Sequence, residues 1–180
     1  MSEILYFEKG GAQNSAKTLK IAAERFAKGD IEAVILASSY GDTALLALER
    51  YPQIAEKLIV VGEVIEGKQS PDSETCQKLT TAGCSVTWGT PMGAMSVFTK
   101  ERTAARIADA YRRVSEGFKV VCEICMIATT QGYVRAGAKV LAIGGTHRGA
   151  DTAIVATAAA FSDFTKFEVH EILCKPYSRS

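Results

Sequence analysis

Two segments carry residue types that can do chemistry, and they look alike. One is VILASSYGDTA at 34–44 and the other is VLAIGGTHRGADTA at 140–153. Each passes from an apolar run into small polar residues, a glycine and then Asp-Thr-Ala. In the first, Ser38, Ser39 and Thr43 offer hydroxyl donors beside Tyr40, and Gly41 permits a tight turn or a close ligand approach. A helix starting there adds free backbone N–H groups and the positive end of its dipole, worth about 0.3–1 kcal/mol. Asp42 reads as a first-turn cap or as an acceptor for a ligand hydroxyl. These are the parts of a phosphate site, and they also suit an ordinary capped strand-to-helix turn.

The second segment is richer. Gly144, Gly145 and Gly149 let successive pieces of backbone approach a ligand. Thr146 and Thr152 add hydroxyls, and Arg148 can clamp an oxyanion. Ala150 and Asp151 complete the loop. The expectation is that Asp151 and Thr152 serve a ligand and are replaceable without loss of stability. The competing reading is a glycine-rich hairpin, with His147 as an idle surface residue. That hairpin explains one or two glycines more easily than the whole set.

Other reactive residues carry less. Glu123 lies in a mostly apolar segment, where a carboxylate needs a partner or a raised pKa. It reads as an exposed or paired structural residue, or as a buried base. Cys122 and Cys125 form a C-x-x-C, but a zinc site needs about four ligands and no second such pair is present. The cysteines number five, an odd count without a secretory signal, and read as reduced, buried thiols. No Ser/His/Asp order, metal-ligand cluster or P-loop lysine stands out.

The elements that must position these loops follow from hydrophobic patterning. Ile4 to Phe7 reads as a first strand. A helix follows over 16–29, capped by Asn14 or Ser15 and stopped by Gly29. IEAVILA at 31–37 is nearly all apolar, as suits a parallel strand buried on both faces. TALLALER begins a second helix, and KLIVVGEV at 57–64 is a third strand. EGKQSPDSE reads as a loop, with Asp72 or Ser73 capping the short helix after it. SVTWGT at 85–90 is a fourth strand.

PMGAMS then connects to a long amphipathic helix over 100–117, capped by Thr99. VVCEICMIATTQG favours a helix ending at Gly132 by its length and i,i+3/i+4 apolar spacing. Strands follow at 139–143 and 153–158, and FEVHEILCKP reads as an edge strand. Strands alternating with helices predict a single α/β domain over 1–180, a three-layer sandwich with a mainly parallel sheet and a late antiparallel addition. In such sheets ligands bind outside the carboxyl ends of the strands, where both loops belong.

Composition narrows the partners. The chain has 180 residues, 47% hydrophobic and 23% charged, with a net charge of +1. No strong field is available to steer nucleic acid or an anionic membrane, so any anion selectivity is local. The opening residues are too acidic for a signal peptide, and no apolar run approaches membrane-spanning length. The expectation is a soluble, cytoplasmic protein, with homo-oligomer formation compatible with its apolar content.

At these residues the sequence resembles a small family of mostly archaeal and bacterial proteins described as the pyruvate kinase alpha/beta domain. YFEKGGAQNSAKTL is similar to the family's opening, with Gln13-Asn14-Ser15 in place of Glu-Asn-Thr. ASSYGDTA, FKVVCEICMIATTQG, GGTHRGADTA and EILCKP resemble further segments. Thr130-Gln131 departs from the family, which has an acidic residue there.

The resemblance implies the fold of the pyruvate kinase C-terminal domain without the catalytic (β/α)8 barrel, so no pyruvate kinase activity. It implies FMN as a ligand, held by the two loops with Asn14 in the opening segment. Tyr40, Trp88, Met92 and Met95 are then candidates to cover the flavin ring. The main expectation is a binding protein for a phosphorylated small molecule. The alternatives are a flavin-dependent oxidoreductase, a small phosphohydrolase using Asp42 or Asp151, and an interaction module that binds nothing.

Overall fold

The computed structural model describes residues 3–65, 67–89 and 103–178. The strands are β1 (Leu5–Phe7), β2 (Ala33–Ala37), β3 (Leu58–Ile65), β4 (Lys68–Ser70), β5 (Ser85–Trp88), β6 (Lys139–Gly144), β7 (Thr152–Thr157) and β8 (Glu168–Pro176). The helices are α1 (Ser15–Phe26), α2 (Asp42–Arg50), α3 (Ser73–Thr81), α4 (Thr103–Arg112) and α5 (Glu116–Thr130). One sheet runs in the order β1-β8-β7-β6-β2-β3-β4, with β5 also pairing β3.

Pairings β1–β8, β2–β3, β2–β6 and β3–β5 are parallel; β6–β7, β7–β8 and β3–β4 are antiparallel. Only β4 and β7 therefore run against the rest. The expected mainly parallel α/β architecture with a late antiparallel strand is what this sheet has.

Near-continuous apolar strands bury both faces of the sheet. Val34, Leu36, Leu141 and Ile143 turn to one side, where they meet Leu19 of α1, Ala44 of α2 and Leu79 of α3. Ile35, Ile59, Ala142 and Ile154 turn to the other, against Ala108 of α4 and Val121, Cys122 and Ile124 of α5. The period of two along each strand produces this division. Each fully buried aliphatic side chain contributes about 1.5–3 kcal/mol. Helix α5 is buried over most of its length, from Gly117 to Thr129, as its all-round apolar character requires.

FEVHEILCKP is an edge strand over most of its length: β8 pairs β7, and β1 covers only Cys174–Pro176 on the other side, with Leu173 and Cys174 buried. Several expectations change. The expected helix over 100–117 ends at Arg112, and Ser115 starts α5 by accepting the Phe118 N–H at 2.9 Å. A serine cap can end one helical pattern and begin another without breaking the apolar spacing. The expected cap at Thr99 and the PMGAMS connection lie outside the described residues.

The stretch read as a loop contains β4, which pairs with the end of β3. Neither Asn14 nor Ser15 caps α1. Asn14 Nδ2 donates to Lys9 O at 2.8 Å, and Ser15 Oγ accepts the Ala150 N–H at 2.9 Å. Tertiary partners have taken the polar atoms that local capping would use. Asp72 does cap α3, accepting the Thr75 N–H at 2.8 Å.

Candidate functional site

Strands β2 and β6 are neighbours, with Val34 opposite Leu141 and Leu36 opposite Ile143. Their carboxyl ends are therefore level, and the two Asp-Thr-Ala loops leave adjacent strands side by side. A pocket of about 460 Å³ opens there, between the ends of β2, β3, β5 and β6 and helix α5. That volume lies within the range of small-molecule sites.

The first loop lines the pocket with Ser38, Ser39, Tyr40, Asp42 and Thr43. Ser38 Oγ accepts the Ala44 N–H at 3.3 Å, while the Ser38 N–H donates to Val61 O at 3.1 Å. Gly41 stands behind this lining as the left-handed residue before α2, with φ 86°. The first N–H groups of α2 have no acceptor within the helix, by helix geometry.

The second loop lines the pocket with Gly145, Thr146, Arg148 and Gly149, together with His147. Among the described residues His147 is the one non-glycine with positive φ, at 57°. Such a conformation is uncommon outside glycine, and here it forms the exposed loop tip next to Arg148.

Arg148 and Asp42 join the two loops at the rim. Arg148 Nε donates to Asp42 Oδ2 at 2.6 Å, and the guanidinium lies over the Tyr40 ring, 5.3 Å from its centroid. All three side chains are exposed. An exposed pair contributes about 0–1 kcal/mol, so Arg148 can exchange Asp42 for an incoming anion at small cost.

The remaining predicted residues do not line the pocket. Asp151 and Thr152 are fully buried. The Asp151 carboxylate accepts the Gly11 N–H at 2.9 Å, the Thr146 N–H at 3.0 Å and the Thr152 hydroxyl at 2.7 Å. Ala150 donates to Ser15 and accepts from the Thr18 hydroxyl at 3.3 Å. Gly144 packs against Val120 and Val121, and Asn14 holds the loop after β1. Gly149 lines the pocket but also has φ 89° and abuts Ala12, where a Cβ would overlap.

The likeness of the two Asp-Thr-Ala endings therefore hides two roles. Asp42 is at the rim, and Asp151 is a buried tie between β1, β6 and β7. Trp88 donates to Ser70 O at 3.1 Å and lies outside the pocket lining. Met92 and Met95 lie outside the described residues.

Helix α5 supplies a wall that the sequence reading missed. Glu116, Lys119, Val120, Glu123, Ile124 and Ile127 line the pocket. These positions recur at three and four residues, so they form one stripe of about 16 Å at 1.5 Å rise per residue. At one end Gly117 packs on Asp151 and Thr152; at the other Ile127 packs on Gly89, just past β5. The pocket thus extends from the second loop to the end of β5.

Midway lies an ion pair, Lys119 Nζ to Glu123 Oε2 at 2.8 Å, with side chains 7% and 6% exposed. Lys119 escaped notice because one lysine in FKVVCE looks like a surface residue. Its signal was the i,i+4 spacing to a carboxylate in an apolar helix.

The cysteine pair faces elsewhere. Cys122 and Cys125 are buried in the core beside β2, β6 and β7. Burial holds both thiols well above the ordinary range, so they supply no thiolate at neutral pH. Among the described residues no group of three or more His, Cys, Asp or Glu side chains is placed to hold a metal. None of their helices is long and apolar enough to cross a membrane. No protein-family model matches the chain.

Proposed function

We propose that the pocket between the two Asp-Thr-Ala loops and α5 binds a phosphorylated small molecule, with FMN the favoured ligand. The observation that carries this is the convergence of hydroxyls, a helix N-terminus and one exchangeable arginine at the head of an elongated pocket. Ser38, Ser39, Thr43 and Thr146 provide hydroxyl donors, α2 provides backbone donors, and Arg148 provides charge. Such donor sets suit a phosphate. Ile124 and Ile127 provide apolar surface farther along α5, which suits a flat ring.

The resemblance to the pyruvate kinase alpha/beta domain family points the same way, through the fold of the pyruvate kinase C-terminal domain and a bound flavin. In this reading Arg148 leaves Asp42 for the phosphate, and Tyr40 remains beside the guanidinium. When bound, a flavin would supply redox chemistry, and the protein would orient it. A phosphohydrolase acting through Asp151 is the weaker reading, because that carboxylate is buried and occupied by three donors.

The test is a fluorescence titration of FMN with protein freed of ligand, with riboflavin alongside. Saturable quenching by FMN and much weaker quenching with riboflavin is the expected result. Equal affinity for both would remove the phosphate from the reading. No quenching would remove the flavin. Adding NADH or NADPH to the loaded protein then separates an oxidoreductase from a binding protein.

A further inference from the structure

The second loop spends its backbone donors unevenly. At its base the Thr146 N–H donates to the Asp151 carboxylate at 3.0 Å, the Ala150 N–H to Ser15 Oγ at 2.9 Å and the Asp151 N–H to Gly144 O at 3.0 Å. Gly145 lies against Gly149 O and Ala150, where a Cβ would overlap, so the loop is folded tightly back on itself. Between these ties stand three consecutive residues, His147, Arg148 and Gly149. Among the described residues their N–H groups have no acceptor.

The backbone of the three also alternates in hand. His147 has φ 57° and Gly149 has φ 89°, while Arg148 between them is not left-handed. Such alternation turns successive N–H groups toward one side and makes a concavity that suits an anion. All three residues line the pocket. Glycine takes a left-handed φ freely, but a residue with a side chain does so at a cost. At His147 no turn hydrogen bond from these N–H groups offsets that cost among the described residues. Backbone held in this way is suited to a ligand that supplies the missing acceptor. Gly149 is packed on Ala12 and Ser15, so the concavity is fixed before a ligand arrives.

We propose that the main chain of residues 147–149 is the seat of the ligand's terminal phosphate, and that His147 acts there through its backbone conformation and not its imidazole. The three N–H groups meet the phosphate oxygens, and the Arg148 guanidinium, released from Asp42, adds charge to the same anion. This inference rests on reading the loop end as the phosphate site. It names the groups that hold the phosphate, and it gives a role to a residue whose type alone marks it as idle.

The experiment follows the amide proton–nitrogen correlation spectrum of the isotope-labelled full chain during titration with inorganic phosphate and with FMN. The same titrations are run on His147→Gly and His147→Val, with melting curves for both. The amide protons of His147, Arg148 and Gly149 should move downfield, saturably, with either probe. Glycine keeps the left-handed backbone without the imidazole, whereas β-branched valine resists it. His147→Gly should therefore bind each probe at least about tenfold more tightly than His147→Val. If His147→Val does not fold, the wild-type amide shifts decide alone.

Shifts confined to the first turn of α2 overturn the proposal and leave the loop-end phosphate reading standing. Equal affinity in the two variants also overturns it: equally tight binding makes the conformation at His147 irrelevant, and equally weak binding makes the imidazole the ligand group. Shifts at 147–149 with phosphate but no response to FMN remove the flavin and keep this inference. No shift with either probe overturns both readings.

Discussion

The carboxylate of Asp151 accepts the backbone N–H of Gly11 at 2.9 Å, across 140 positions of sequence. The same side chain holds the Thr146 N–H and the Thr152 hydroxyl. One buried anion therefore fastens the loop after β1 to the turn between β6 and β7. Truncation to alanine leaves backbone donors without an acceptor, at about 1–3 kcal/mol each. Asp151→Ala should lose about 3 kcal/mol of stability in urea unfolding. A loss below about 1 kcal/mol would mean the loop reorganises freely and Asp151 is no tie.

Gly117 offers an opposite test of intuition. It lies in α5, where alanine is intrinsically better by about 1 kcal/mol. Yet a Cβ there would overlap Thr152 Oγ1 and Asp151 Oδ1. Gly117→Ala should therefore destabilise the protein, by about 1–3 kcal/mol of overpacking. Differential scanning calorimetry decides it; a raised melting temperature would show that α5 can move off β7.

Arg148 and Asp42 should act on ligand binding in opposite directions. Arg148→Met removes the exchangeable cation and should weaken FMN about tenfold or more, with a smaller salt dependence. Asp42→Asn frees Arg148 and removes a like charge, and should tighten FMN about two- to fivefold, as expected for an exposed pair. Fluorescence titrations at two ionic strengths measure both. If Asp42→Asn weakens FMN strongly with unchanged melting, Asp42 itself holds a ligand hydroxyl.

Burial sets an alkaline limit to stability. It pushes the Cys84 and Cys174 thiols up to about 11 from an ordinary value of 9.0, and the Tyr111 phenol up to about 12 from 10.0. Through pH 9 to 11 the unfolded chain releases thiol protons that the native state keeps. Stability is then fully present below pH 9.0 and falls as pH rises toward the native values. Urea midpoints across this range should decline, and a flat profile would contradict the burial of these groups. At neutral pH a thiol reagent should label half-buried Cys76 first, and the buried cysteines only on unfolding.

The fold was largely legible because its signals are local. IEAVILA and KVLAIG are apolar on both faces, and only a sheet covered on two sides can accommodate them. The glycines and apolar periods placed most helices for similar reasons. The two loops were legible as a pair because each breaks an apolar strand with Asp-Thr-Ala. Where local patterns were shared by two structures, the reading failed. Ser115 in the amphipathic run caps α5, so one expected helix over 100–117 became the end of α4 and the start of α5.

What the sequence by itself determined is the α/β architecture and the two loops, since hydrophobic period and turn chemistry act over a few residues. What only the tertiary structure decided is how identical Asp-Thr-Ala endings are used. Register puts β2 beside β6, which leaves Asp42 at the rim with Arg148. The antiparallel return into β7 draws Asp151 inward, where it satisfies N–H groups from two distant segments. Lys119 became part of the pocket in the same way, because α5 lays that face along the strand ends. Burial and partnership are set by neighbours far apart in sequence, and no window along the chain contains them.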